Sequence, residues 1–135
     1  MLDAFLVPDK TVVAAKGDSQ SLDITGAASR IFLLTLSITS IVEQESIEVS
    51  LFTSADGVTW ETKPVTALPQ KFYVGEYPLL VDLSAVPNAK FVRAHWEVSR
   101  WGRGSTTPHF EMALRWREVS PQDLQEAAAE AHARR

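Results

Sequence analysis

The chain has 135 residues, no cysteine and a formal net charge of −4. This length suffices for one domain with a buried core, and the lack of cysteine excludes disulfide bonds and thiolate metal sites. The negative charge disfavours nucleic acid as the main partner, because phosphate binding needs concentrated positive charge. No apolar run approaches the ~20 residues of a membrane-spanning helix.

Residues 1–17 predict an N-terminal arm or an edge strand. Phe5 and Val7 precede Pro8, and proline in a strand indicates an edge position. An arm would pair with a neighbouring subunit, and Phe5 and Val7 would then contribute to assembly. Asp3 stands where a secretory signal would carry a basic residue. We therefore expect cytoplasmic synthesis without a signal peptide, and release only by lysis or a dedicated machine, for example within a virion.

Residues 30–60 carry the strongest strand signals. Residues 31–34 are continuously apolar, which predicts a strand covered on both faces. Ile47, Val49 and Leu51 alternate with polar residues, which predicts a half-buried strand. An Asp-Gly pair before Trp60 predicts a tight turn that pins this tryptophan in the core.

The rest of the chain up to residue 119 consists of short apolar segments separated by Gly, Pro, Asn and Asp. Residues 62–70 contain two prolines and are predicted to form a loop, whereas residues 89–101 and 109–119 are predicted to form a long hairpin. The sequence thus predicts an all-β domain over residues 18–119, an antiparallel β-sandwich or jelly roll.

Residues 120–135 predict a short C-terminal α-helix. Ser120 is a good N-cap and Pro121 suits the first helical position. Leu124 is the one large apolar side chain of this tail, so packing on its own surface cannot hold the helix together. We expect Leu124 to contact a neighbouring subunit.

In the predicted hairpin, the apolar face of the first strand consists of Val92, Ala94, Trp96 and Val98, and that of the second consists of Phe110, Met112, Leu114 and Trp116. The register that avoids like charges sets His95 opposite Glu111 and Glu97 opposite His109. Two histidines and two glutamates on one face are compatible with a metal site, but no metal motif is present. A ladder of cross-strand ion pairs is the commoner arrangement. We therefore predict the ladder, with no metal and no cofactor.

The glycine-rich loop between the last two strands contains Arg100, Trp101 and Arg103. Two arginines beside an indole can bind a carboxylate, a phosphate or a sugar ring by bidentate hydrogen bonds and stacking. A protein partner would cover the tryptophan equally well, and the alternative is a solvated loop whose tryptophan caps the core. We assign these three residues to ligand or partner binding.

Three segments carry a resemblance to known proteins: SADGVTW at 54–60, AKFVRAHWEV at 89–98 and FEMALRWREV at 110–119. Together they resemble the discoidin-like, galactose-binding-like jelly-roll family, which implies a jelly-roll fold. The SADGVTW turn is also similar to one found in small β-sandwich structural proteins of tailed phages, which implies a structural role in an assembly.

The expected function is that of a non-enzymatic structural or assembly subunit, which packs with copies of itself or with other proteins. The sequence contains no nucleophile elbow of the Gly-x-Ser-x-Gly kind and no phosphate-binding glycine loop before a helix. The alternative is a module that binds carbohydrate or another small ligand through Arg100, Trp101 and Arg103. Neither hypothesis involves nucleic acid or a membrane.

Overall fold

The computed structural model describes residues 2–41, 45–71, 73–100 and 110–120. These residues form nine β-strands and no helix. In chain order the strands are β1 (Asp3–Val13), β2 (Gly17–Asp18), β3 (Leu22–Asp23), β4 (Ile31–Ile41), β5 (Glu45–Ser54), β6 (Thr66–Lys71), β7 (Gly75–Asp82), β8 (Phe91–Arg100) and β9 (Phe110–Glu118).

The strands form two antiparallel sheets. One sheet has the order β1-β9-β4-β7, and the other has the order β2-β8-β5-β6, with β3 also paired to β8. The chain changes sheet at every connection except β2–β3 and β5–β6. The predicted all-β antiparallel sandwich is therefore confirmed, and its strand order is compatible with a jelly roll.

The core lies between the two sheets because each long strand turns one apolar face inward. Along β4, Phe32, Leu34, Leu36 and Ile38 are buried, and the side chains between them are half-buried. The prediction that residues 31–34 are covered on both faces is thus wrong. One face of β4 meets the core, and the other lies on the outer surface of its sheet.

An aromatic stack lies in this core. The rings of Phe32 on β4 and Trp116 on β9 stack with centroids 4.7 Å apart and an interplanar angle of 26°. Both side chains are fully buried, yet the indole N–H of Trp116 has no hydrogen-bond partner within the described part of the chain. The core therefore gains the aromatic packing of Trp116 and bears the cost of one unsatisfied donor.

The predicted hairpin of residues 89–101 and 109–119 is wrong. Strand β8 pairs with β2, β3 and β5, whereas β9 pairs with β1 and β4 in the other sheet. The apolar faces of β8 and β9 were identified correctly, since Val92, Ala94, Met112 and Leu114 are all buried. Those faces meet across the core and do not lie side by side in one sheet.

The edges of both sheets resist further strand pairing. Pro8 in β1, Pro69 in β6 and Pro78 in β7 each remove a backbone donor from an edge strand. Residues 62–70 were predicted to be a loop because of their prolines, but residues from Thr66 onward form β6, an edge strand that tolerates Pro69. The fourth edge is split into the two-residue strands β2 and β3.

Strand β1 is an edge strand of the domain itself and pairs with β9 along most of its length. A register shift between Val7 and Thr11 includes Pro8 and Lys10, and Lys10 has a φ of 59°. The predicted C-terminal helix lies outside the described residues.

The carboxylate of Glu118 joins three segments at the end of β9. Its oxygens accept backbone hydrogen bonds from Leu2 at 3.0 Å, Ala28 at 3.0 Å and Ser29 at 2.9 Å. The hydrogen bond from Leu2 is the largest cause that lowers the pKa of Glu118, those from Ser29 and Ala28 add to it, and burial opposes them. Glu118 thus holds the start of β1 and the segment before β4 against β9.

Replacing Trp116 tests the balance between its packing and its unsatisfied donor. Trp116→Ala should lower the free energy of unfolding by about 3–5 kcal/mol, because it opens a large cavity. Trp116→Phe should cost only about 1 kcal/mol, because it keeps an aromatic ring on Phe32 and removes a donor that has no partner. Urea unfolding measures both losses in the free energy of unfolding, and the m-value should remain unchanged. Equal losses for the two variants would show that the indole nitrogen stabilises the fold.

Replacing Glu118 with glutamine tests the pH dependence of the stability that the hydrogen bonds to its carboxylate contribute. The pKa of this group is lowered in the folded state, so the stability it contributes is present above its unfolded pKa of about 4.3 and is lost as the pH falls through the folded pKa. Glu118→Gln should therefore lower the melting temperature at pH 7. The difference from the wild type should shrink as the pH falls below about 4. A difference that is constant from pH 7 to pH 3 would contradict this role.

Candidate functional site

The structure separates the residues that the sequence assigned to binding and assembly. Arg100 is the last residue of β8, where its backbone pairs with Glu45, while Trp101 and Arg103 lie outside the described residues. Phe5 is 43% exposed on the outer face of its sheet. Val7 is only 3% exposed and belongs to the core, so its side chain is not available to a neighbouring subunit. Leu124 lies outside the described residues.

The predicted ladder between His95 and Glu111 does not form, because β8 and β9 belong to different sheets. His95 instead contacts the Asp18 carboxylate of β2 through Nδ1 at 2.8 Å. Its Nε2 lies 3.7 Å from Glu97, and Arg93 Nε lies 3.9 Å from Asp18. The polar face of β8 is thus a surface charge cluster within one sheet. The sequence predicts none of the actual partners of β8, which are β2, β3 and β5, and β2 is the one that supplies Asp18.

The predicted Asp-Gly turn is confirmed. Gly57 has a φ of 79°, and the Asp56 carboxylate accepts backbone hydrogen bonds from Val58 and Thr59, each at 2.8 Å. These bonds lower the pKa of Asp56, with Thr59 the largest cause. Ser54 forms an isolated bridge with Trp60, which closes the turn.

The prediction that Trp60 is a core residue is wrong. Trp60 is half-buried and is absent from the core cluster. The guanidinium carbon of Arg93 lies 4.4 Å from the centroid of its ring, in a cation–π contact on the outer face of the five-stranded sheet. The turn brings the indole back over this sheet and not between the two sheets.

One end of the sandwich gathers exposed apolar side chains. We call it the loop end: there β4 ends at Ile41, β5 begins at Glu45, β8 ends at Arg100 and β9 begins at Phe110. Ile41 and Glu45 are four residues apart, so the two sheets must lie close together at this end. Of the six exposed large hydrophobic side chains among the described residues, three are at this end, namely Val12, Tyr73 and Val74.

A second feature is a hollow in the outer face of the four-stranded sheet, which we call the outer groove. One cross-strand row runs from Phe5 on β1 through Arg115 and Thr35 to Pro78 on β7. The next row places Arg117 beside Leu33, and a third places Ala113 between β1 and Ser37, with Glu76 beyond. The cavity volume of the groove is about 370 Å³.

Hydrogen bonding holds one arginine of the groove in place and leaves the other available. Arg115 donates to both carboxylate oxygens of Asp3, from Nε at 2.9 Å and from Nη2 at 2.5 Å. The hydrogen bond from Arg115 is the largest cause that lowers the pKa of Asp3, and the charges of Arg115 and Arg117 add to it. Arg117 forms no ion pair within the described part of the chain.

Residues 2–41, 45–71, 73–100 and 110–120 contain no group of three or more His, Asp or Glu side chains placed to hold a metal ion. The same residues contain no helix with the length and apolar character needed to cross a membrane.

No protein-family profile matches the chain, and no curated protein is detectably similar to it in sequence.

The sequence does not predict the outer groove, because the predicted hairpin places β9 beside β8 and not beside β4. Arg115 and Arg117 alternate with the buried residues of β9, and Thr35 and Ser37 do the same on β4. Ala113 occupies the same face of β9, although its small side chain is buried. That alternation identifies outward-facing positions. Only the pairing of β9 with β4 reveals that they share one surface.

Replacing Trp60 tests its position on the surface. Trp60→Ala should lower the free energy of unfolding by only about 1 kcal/mol, because it removes a cation–π contact and half-buried area but opens no core cavity. Urea unfolding measures this loss. A loss of about 3–5 kcal/mol, as expected for a fully buried aromatic residue, would show that Trp60 is a core residue.

Proposed function

We propose that the protein is a non-enzymatic structural subunit, a jelly-roll sandwich that packs with copies of itself or with other proteins in a larger assembly. The observation that carries the proposal is the loop end. Tyr73 is 74% exposed, Val74 is 56% exposed and Val12 is 55% exposed at one end of the domain. Tyr73 and Val74 are adjacent just before β7, and Val12 lies on β1 at the opposite edge of the same sheet, so exposed apolar side chains stand at both edges of this end. Apolar exposure concentrated on one surface is typical of interaction sites, whereas single exposed apolar residues are ordinary.

Two further features support an association through ends or faces. The prolines in β1, β6 and β7 and the split edge formed by β2 and β3 disfavour association by adding strands. Both ends of the segment 101–109, Arg100 and Phe110, are at the loop end. We propose that Arg100, Trp101 and Arg103 extend the contact surface there.

The resemblance to discoidin-like modules and to β-sandwich proteins of tailed phages supports the same proposal at the level of fold, since jelly rolls occur in viral capsid and lectin domains. Fold-level likeness alone does not identify a function. We propose that the tail, residues 120–135, is a helix that reaches a neighbouring subunit through Leu124, and that Phe5 adds to the contacts. Release within a virion or a comparable assembly fits this role.

The alternative function is the binding of carbohydrate or another small ligand by Arg100, Trp101 and Arg103. The chemistry of those side chains supports it, because an indole flanked by guanidinium groups can stack on a sugar ring and bind an anion. The two functions make different predictions for the mass of the protein in solution.

Serine substitutions at the loop end should reduce association. The wild type should form a species larger than one chain in size-exclusion chromatography with light scattering. Tyr73→Ser combined with Val74→Ser should shift it towards the monomer, because the contact loses its apolar side chains. Trp101→Ser should act in the same direction.

Val58→Ser is the matched control, because Val58 is 83% exposed in the turn between β5 and β6, away from the loop end. It should leave the mass unchanged. A wild type that is monomeric at all concentrations, or an equal effect of Val58→Ser, would contradict the assembly proposal.

A further inference from the structure

We propose that the outer groove binds a sugar unit that carries a carboxylate, such as the uronate of an acidic polysaccharide. This inference goes beyond the proposed function, because the groove lies on the outer face of the four-stranded sheet and the loop end does not form it. It rests on four properties of the groove: its shape, its hydroxyl groups, its charges and its aromatic ring.

The shape suits a small ligand. Ala113 and Ser37 are neighbours on β9 and β4, and their small side chains leave a hollow between longer ones. The volume of about 370 Å³ falls within the range of about 300–1,000 Å³ that is usual for small-molecule sites. An extended β-sheet face with large side chains throughout would have no such depression.

The floor of the groove offers hydroxyl groups that the fold does not use. Thr35 and Ser37 are half-buried and line the groove, and neither hydroxyl has a hydrogen-bond partner among the residues that the structure describes. Each can donate one hydrogen bond and accept others. A ligand rich in hydroxyl groups satisfies both roles at once.

The charges of the groove leave one position for a negatively charged group, beside Arg117. Asp3 fixes and neutralises Arg115, whereas Arg117 lines the groove without an ion pair to a described residue. A carboxylate can accept two parallel hydrogen bonds from such a guanidinium group.

The carboxylates of Glu76 and Asp9 also line the groove, so its lining is net negative once Asp3 and Arg115 are paired. Glu76 lies in the cross-strand row of Ser37 and Ala113, two rows from Arg117. The carboxylate of a ligand is therefore confined to the end of the groove at Arg117, while Glu76 and Asp9 accept hydrogen bonds from sugar hydroxyl groups.

The aromatic ring supplies the apolar surface that a sugar needs. Phe5 lines the groove and is 43% exposed, although a phenyl ring gains free energy when it is buried. The C–H groups on one face of a pyranose ring can cover it. Phe5 pairs with Arg115, which pairs in turn with Thr35 in the same cross-strand row. One bound sugar ring can therefore contact both the phenyl ring and the polar side chains.

Isothermal titration calorimetry with digalacturonate and with dimannuronate as separate probes tests this site. The wild type should bind at least one of them, and should bind the methyl ester of that probe about tenfold more weakly, because the ester keeps the hydroxyl groups but lacks the charge. Arg117→Gln should reduce uronate affinity by about the same factor and leave the affinity for the ester unchanged. Arg117→Lys should restore part of the loss, and Ser37→Ala should weaken the acid and the ester alike.

Lys90→Gln is the matched control, since it removes one exposed positive charge just before β8, away from the groove. It should leave the affinity unchanged, and all variants should keep the melting temperature of the wild type. Binding of neither uronate probe, or equal losses for Lys90→Gln and Arg117→Gln, would overturn the proposal. Acetate binding with the affinity of the uronate probe would overturn the recognition of a sugar.

Discussion

The structure depends on the packing of two sheets face to face, and β9 is where that packing is most complete. Phe110, Met112, Leu114 and Trp116 point into the core from this one strand, and Trp116 stacks on Phe32 of the neighbouring strand β4. Because β9 lies between β1 and β4, it cannot pair with β8, although the two are consecutive in the chain. The opposite face of β9 then joins that of β4 to form the outer groove. The same strand thus stabilises the core and shapes the surface most suited to a ligand.

The edges of the sheets direct any association towards other surfaces. Prolines lie in β1, β6 and β7, and the remaining edge consists of two short strands. Such edges disfavour the addition of a strand from another chain. The proposed assembly would then depend on the loop end, and the inferred sugar binding would depend on the outer groove. The two surfaces lie on different parts of the domain, but Phe5 lines the groove and is also proposed as a subunit contact. An assembly contact that covers Phe5 would therefore compete with sugar binding.

The sequence predicts the kind of structure better than its arrangement. Alternation identified the inward faces of β5, β8 and β9, and the Asp-Gly pair identified the turn at Gly57, because both signals depend on neighbouring residues. The pairing of strands depends on contacts between distant residues, which alternation does not report. For that reason the sequence wrongly predicts a hairpin of β8 and β9 and a core position for Trp60. Pro69 was misleading, since a proline ends a central strand but is compatible with an edge strand. The outer groove could not be predicted, because it exists only once β4 and β9 are neighbours.

The position of β9 is the central claim, since the core, the edges and the outer groove all depend on it. Cross-strand nuclear Overhauser effects between backbone protons in isotope-labelled protein test it most directly. Because β9 pairs with β4 and β8 pairs with β5, contacts should appear between Ala113 and Ser37 and between His95 and Ser50. Backbone contacts between Trp96 and Phe110, with none between Ala113 and Ser37, would show a hairpin of β8 and β9 and would contradict the account.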